Sequence, residues 1–198
     1  NEEKLKRIGS ELKSLYGNCL AVPTDVAIEA ECKNLIQKTI ETFGCIDILI
    51  NNAGISMRAL LNDVSLSVMH QVMDINFWGT VNCTKHALPY LLKSKGSVVG
   101  VSSIAGKKGL PARCAYSASK FAMEGFLESL RIENLKNNLH VLVVAPGYTA
   151  SNIRNTALNK DGHQQEESPL DESKLMKPEA VAYEIYNAVL YRKRDLVL

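Results

Sequence analysis

The chain has 198 residues, 46% of them hydrophobic and 22% charged, and a net charge of +2. That length suits one sizeable α/β core, and the composition excludes a disordered or fibrous chain. The near-neutral charge gives no electrostatic case for nucleic acid, and runs such as HVLVVAP are too short to cross a bilayer.

The opening NEEKLKRIGSELKSL is a charged amphipathic helix with no strand before it and no secretory apolar region. A short apolar run, NCLAVPTDV, ends at Asp25 to Val26, and EAECKNLIQKTIETFG follows with helical periodicity and Gly44 placed as its C-cap. An aliphatic strand from Ile46 to Ile50 leads into the polar turn NNAG. A long helix is expected from about Ser65 to Leu92, stopping near KSKG. Then come the valine-rich strand of GSVVGVSSIAG, a helix from Ala115 to Lys136, the strand HVLVVAPG and a polar stretch. A last helix runs from about Pro178 to Arg192, and RDLVL reads as a strand just begun. Both ends read as cut, as in the interior of a longer protein.

The strands are continuously apolar and alternate with helices, which implies a parallel sheet covered by helices on both faces. The expected fold is therefore a single Rossmann-like, doubly wound domain spanning the chain. Three strand ends carry unusual residues: NNAG, SSIAG and APGYTAS. In an open α/β sheet these ends meet at one ligand-binding crevice. The polar segment 155–175 is either a lid over that crevice or a solvated loop. Five cysteines (Cys19, Cys32, Cys45, Cys83 and Cys114) form no C-x-x-C pair and read as free thiols of a reducing compartment. The four histidines (His70, His86, His140 and His163) lack metal-ligand spacing, so no metal is expected.

Tyr116 and Lys120, four apart, share a helix face with Met123, Leu127 and Leu130. A lysine turned inward needs partners or a polar cavity. An ammonium beside a phenol lowers the phenol's pKa, which is the tuning a proton donor needs. Alone, this spacing would describe an ordinary exposed pair. Ser103 ends the preceding strand and can reach toward the helix start, or simply cap a turn. Asn76, in MDINFWGT, is a polar residue at an apolar spacing, fitting a helix bend or a satisfied core amide as well as a site.

Together NNAG at 51–54, N-F-W-G at 76–79, VSSIAG at 101–106, YSASK at 116–120 and APG at 145–147 resemble the short-chain dehydrogenase/reductase family, in its order and spacing. The resemblance covers essentially the whole chain and implies an oxidoreductase that interconverts an alcohol and a ketone or aldehyde with NAD(P)(H). It implies Tyr116 as general acid or base, Ser103 orienting the substrate oxygen, Lys120 binding the nicotinamide ribose, and Asn76 holding a relay water. Cofactor contacts implied in the same way are Asp25 at the adenine, Asn51, Ala53 and Gly54 beside the adenine ribose, and Pro146 and Gly147 at the carboxamide. Thr149 or Ser151 stands where the family often has a threonine. NADP(H) is favoured over NAD(H) by the basic opening helix. The family's T-G-x-x-x-G-x-G turn, which anchors the pyrophosphate on a helix N-terminus, is absent from this sequence, so this chain alone is expected to bind the cofactor poorly.

Met57, Arg113, Cys114 and Tyr148 flank the expected reacting centre. Ala118, Ala122, Gly125 and Ser129 form a small-residue stripe on the other side of the helix. In the family the corresponding helix pairs with a twin, implying a homodimer or homotetramer with a small-molecule substrate. Two other readings are a non-catalytic dinucleotide sensor on the same fold and a membrane-anchored steroid or lipid carbonyl reductase with its anchor upstream. No membrane segment lies in this sequence, and the expected location is cytoplasmic.

Overall fold

A computed structural model describes residues 2–166, 168 and 170–198, with only the backbone at 172. Asn1 of the opening helix, and Glu167 and Pro169 of the polar segment, lie outside the described residues. Helix α1 (Glu2–Tyr16) buries none of its residues. Helix α2 (Glu29–Phe43) ends as expected at Gly44, whose left-handed φ of 79° lets its N–H reach Ile40 O. Strand β1 (Ile48–Asn51) leads toward α3 (Leu66–Met73) and α4 (Gly79–Ser94). Next come β2 (Ser97–Val101), α5 (Cys114–Glu133), β3 (His140–Ala145), α6 (Pro178–Leu190) and β4 (Asp195–Val197).

The four strands form one parallel sheet in the order β1-β2-β3-β4. Every carboxyl end therefore points the same way. On one face Val98, Val141 and Val143 pack against Leu91 of α4 and Met123 and Leu127 of α5. On the other, Val99, Leu142, Val144 and Leu196 meet Ala188 of α6. The doubly wound layering follows directly from the apolar strands.

Two expectations change. The single helix from Ser65 to Leu92 is split by a π-turn at Asp74–Trp78, because the Asn76 amide is drawn inward to bonds that regular helical spacing would not reach. Strand β1 is not buried on both faces: Ile48 and Ile50 are 50% and 52% exposed. Ile50 pairs with Val99 in β2, and α6 covers Val99 without extending over its neighbour.

Candidate active site

The carboxyl ends of the strands open into a cleft of about 720 Å³. Ser103 enters from the end of β2, Tyr116 and Lys120 from α5, Gly54 from the turn after β1, and Pro146, Gly147 and Thr149 from the segment after β3. The strand ends that stood out in the sequence thus meet at one place.

Lys120 is buried and donates from Nζ to Val101 O at 2.8 Å. Burial pulls its pKa down to about 8, while the Glu124 carboxylate opposes that pull. Its Nζ lies 5.8 Å from the Tyr116 ring centroid. The Tyr116 phenol is held above its ordinary pKa by burial, against a hydrogen bond from Ser103 and the charges of Arg113 and Arg154. This corrects the expectation that Lys120 lowers the phenol: burial wins, and the cations opposing it are arginines. Ser103 also caps the short turn at Ile104–Gly106, accepting from Ala105 N–H at 3.2 Å.

Asn76 is fully buried and lies in the π-turn. Its Oδ1 accepts from Ile55 N–H at 2.8 Å, and its Nδ2 donates to Ile55 O and Ser119 Oγ, each at 2.9 Å. Both sequence alternatives, a bend and a satisfied core amide, are therefore realised at once. The amide clasps the turn after β1 behind Lys120, and only one acceptor lone pair of Oδ1 is left over.

The remaining residues divide between cleft and support. Thr149 and Ser151 both line the cleft; Thr149 Oγ1 donates to Gly147 O at 3.4 Å. Gly147 N–H is tied to Leu198 O at 2.9 Å. Asn51 is buried and gives Nδ2 to Thr84 Oγ1 at 3.0 Å, a bond that holds β1 to α4. Asp25 is exposed in the turn before α2, where Oδ1 accepts from Ala27 N–H at 3.0 Å. Neither Asp25 nor the exposed Ala53 is among the described lining residues. Arg113 and Tyr148 line the cleft, Met57 is packed beneath it, and Cys114 sits in the apolar cluster at its side.

The polar segment after β3 is held across the cleft's outer wall. Leu158 N–H donates to Ser56 O at 2.9 Å, Arg58 N–H to Leu158 O at 2.8 Å, and Leu170 contributes to the lining. Sequence reasoning missed Glu124, whose carboxylate accepts from Ser102 Oγ at 2.6 Å and pairs with Lys107 Nζ at 2.7 Å. Its place four residues after Lys120 was a usable signal. Arg58 and Arg154 were also missed; both sit in loops, where no periodicity shows which way a side chain points. Among the described residues no group of metal-binding side chains occurs, and no helix is long and apolar enough to cross a membrane.

The family described as short chain dehydrogenase matches residues 1–162. The chain is 39% identical over 198 residues to the mouse (Mus musculus) dehydrogenase/reductase SDR family member 7B, covering all of this chain and 61% of the mouse protein. It is 41% identical over 138 residues to an 11-beta-hydroxysteroid dehydrogenase-like 3 protein of Arabidopsis thaliana, covering 69% of this chain and 44% of that one. An alcohol dehydrogenase from the archaeon Thermococcus sibiricus, solved with 5-hydroxy-NADP, superposes with a TM-score of 0.84 at 21% identity. That match covers 99% of this chain and 81% of the archaeal one, and it shows a shared fold. With a family match over most of its length, the chain belongs to the short-chain dehydrogenase/reductase family.

Proposed function

We propose that the protein is an NAD(P)(H)-dependent oxidoreductase that interconverts an alcohol and a ketone or aldehyde. The observation that carries this reading is the meeting of Ser103, Tyr116 and Lys120 in one cleft. The residues present fit the nicotinamide end of a dinucleotide, while the glycine-rich turn that would hold its pyrophosphate is absent from this sequence. A Cβ on Gly54 would come within 3.2 Å of Asn76 Oδ1 and 3.5 Å of Lys120 Nζ, and one on Gly147 within 3.0 Å of Leu198 O. Bare Gly54 thus leaves the Lys120 ammonium uncovered in the cleft, while Gly147 packs closely on the end of β4. The bound 5-hydroxy-NADP of the archaeal protein supports the same class of cofactor, and with the basic first helix it favours NADP(H).

When bound, the cofactor supplies or accepts the hydride. The Tyr116 hydroxyl donates a proton to the substrate oxygen during reduction, and the Ser103 hydroxyl holds that oxygen by a second hydrogen bond. The Lys120 ammonium would donate to the ribose hydroxyls, and the charges of Arg113 and Arg154 favour the phenolate left behind. Burial favours the neutral, proton-donating phenol. The non-catalytic alternative is disfavoured because all three groups are intact and correctly grouped.

The chain spans about 61% of its mouse relative, so this activity is proposed for the whole protein. We place it as a homo-oligomer, since Ala118, Gly125 and Ser129 form an exposed small-residue stripe on α5. The deciding experiment is a panel of ketones and alcohols with NADPH and NADH on the full-length protein, alongside Tyr116→Phe. Loss of the phenol proton lowers kcat by roughly a hundredfold to ten-thousandfold. Undiminished turnover by the variant would remove Tyr116 from the chemistry.

A further inference from the structure

Arg58 carries a buried edge that none of the described residues satisfies. Its Nε and Nη2 are inaccessible to solvent and have no hydrogen-bond partner. Its main chain, by contrast, is fixed on both sides: N–H donates to Leu158 O at 2.8 Å, and the carbonyl accepts from Gln165 Nε2 at 2.9 Å. Nε and Nη2 belong to the planar fork with which arginine grips a carboxylate or phosphate through two parallel bonds. A guanidinium cannot shed its charge to escape such a position, and an unpaired buried charge is costly.

Arg113 stands beside it, on the cleft itself. One of its nitrogens, Nη1, donates to Ser56 Oγ and Met57 O, each at 2.8 Å. Its Nε and Nη2 make no bond to any described residue. Arg58 is close enough to be felt by Arg113, whose pKa it depresses, second only to burial. Among the described residues neither is paired with an aspartate or glutamate, and none of these lines the cleft. The turn that delivers Arg113 is also strained. Ala112 takes a left-handed φ of 54°, and its carbonyl is held by Ala59 N–H at 3.1 Å. Strain of this kind persists where the surroundings enforce a position for a side chain. Across the cleft, Ile153, Leu170, Val181 and Ile185 supply an apolar wall.

We propose that Arg113, backed by Arg58, receives an oxyanion carried by the carbonyl substrate, so that the substrate class is oxo compounds with an acidic group and an apolar body. This rests on the alcohol–carbonyl reading above. Arg113 also acts on the Tyr116 phenol, so an anion docked there places a nearby carbonyl within reach of the proton donor. A phosphate of the cofactor is the competing source of an oxyanion, and the test separates the two.

The test uses 4-oxodecanoate and its methyl ester, a pair differing in one charge. Both are titrated calorimetrically into the full-length wild type, Arg113→Gln and Arg58→Gln, and NADPH and NADH are titrated in parallel. The wild type is expected to bind the acid about 10- to 100-fold more tightly than the ester, the range of charge-assisted hydrogen bonds. Arg113→Gln abolishes that preference and Arg58→Gln weakens it, with cofactor affinities moving less than twofold. Arg58 makes no side-chain hydrogen bond, so its variant keeps the test open if Arg113→Gln does not fold. Equal binding of acid and ester by the wild type, or a preference surviving in both variants, overturns the proposal. So does a loss confined to NADPH or NADH. Turnover is scored separately: binding preference without reduction of either compound by the wild type counts against the oxidoreductase reading and leaves the anion site standing.

Discussion

At the end of the Lys120 side chain, one of three N–H donors is committed to Val101 O at 2.8 Å. The others face the cleft, and their charge depends on what lies behind. Burial pulls the lysine pKa down, and the Glu124 carboxylate works against this and leaves it at about 8. Glu124 is itself held by Ser102 and Lys107, so it acts on the chemistry as a positioning residue. Glu124→Gln removes the opposing charge, and the Lys120 pKa then falls further below 8. The pH above which activity declines should move to lower values, with little change in rate well below it. A pH–kcat/KM profile of the variant checks this; an unmoved alkaline limb would mean that Glu124 serves only packing. At Tyr116 the sign is opposite, since burial favours the neutral phenol. In the unfolded chain the phenol ionises at its ordinary value of about 10, before the folded one does, so stability owed to this residue is lost as the pH rises above that value.

Among the elements, α5 serves two surfaces because its residues alternate between them. Met123, Leu127 and Leu130 are buried against the sheet, while Ala118 and Gly125 face outward. Close approach of α5 to the sheet depends on Gly100 in β2, where an added Cβ would overlap Leu127 Cδ1. Gly100→Ala should destabilise the fold by roughly 1–3 kcal/mol, read from the denaturant midpoint, and push α5 away from Val101, the acceptor for Lys120. Unchanged stability would show that Leu127 has room to move. The sequence made this pairing of α5 with buried strands legible through period and composition: β2 and β3 are nearly wholly buried, as their valine runs implied. It made the Ser103–Tyr116–Lys120 grouping legible because the motifs fall at a strand end and a helix start. It did not make the π-turn legible. One extra residue in a helical turn leaves apolar spacing almost intact, and the forces that select it, the bonds of Asn76 to Ile55 and Ser119, connect distant parts of the chain. For the same reason Arg58 and Arg154 escaped notice: a loop residue has no period to betray its direction.

Across the molecule, the end of the sheet opposite the cleft is stitched by His140. Its ring meets Ser97 Oγ at 3.0 Å and Lys193 O at 2.7 Å, joining the starts of β2 and β3 to the segment before β4. Burial lowers its pKa below 6.5, with Arg192 and Arg131 adding to the effect and the Lys193 carbonyl opposing it. The unfolded chain therefore takes up a proton before the folded one does. Stability attributable to His140 is complete above about pH 6.5 and declines as the pH falls through the unfolded value toward the folded one. Denaturant midpoints measured from pH 8 to about pH 5 should fall, and His140→Gln should flatten that slope; equal slopes would place the acid sensitivity elsewhere. Among the described strands β1 stands at one end of the order, with Ile48 and Ile50 half exposed beside backbone groups that no described strand pairs. Left bare, such a strip behaves colloidally as an adhesive, joining one molecule to the next with no saturating geometry. Residues 1–198 taken by themselves are therefore expected to cloud at a concentration limited by two isoleucines far from any chemistry. Replacing Ile48 with lysine should raise that limit while leaving the cleft untouched, as light scattering against concentration would reveal.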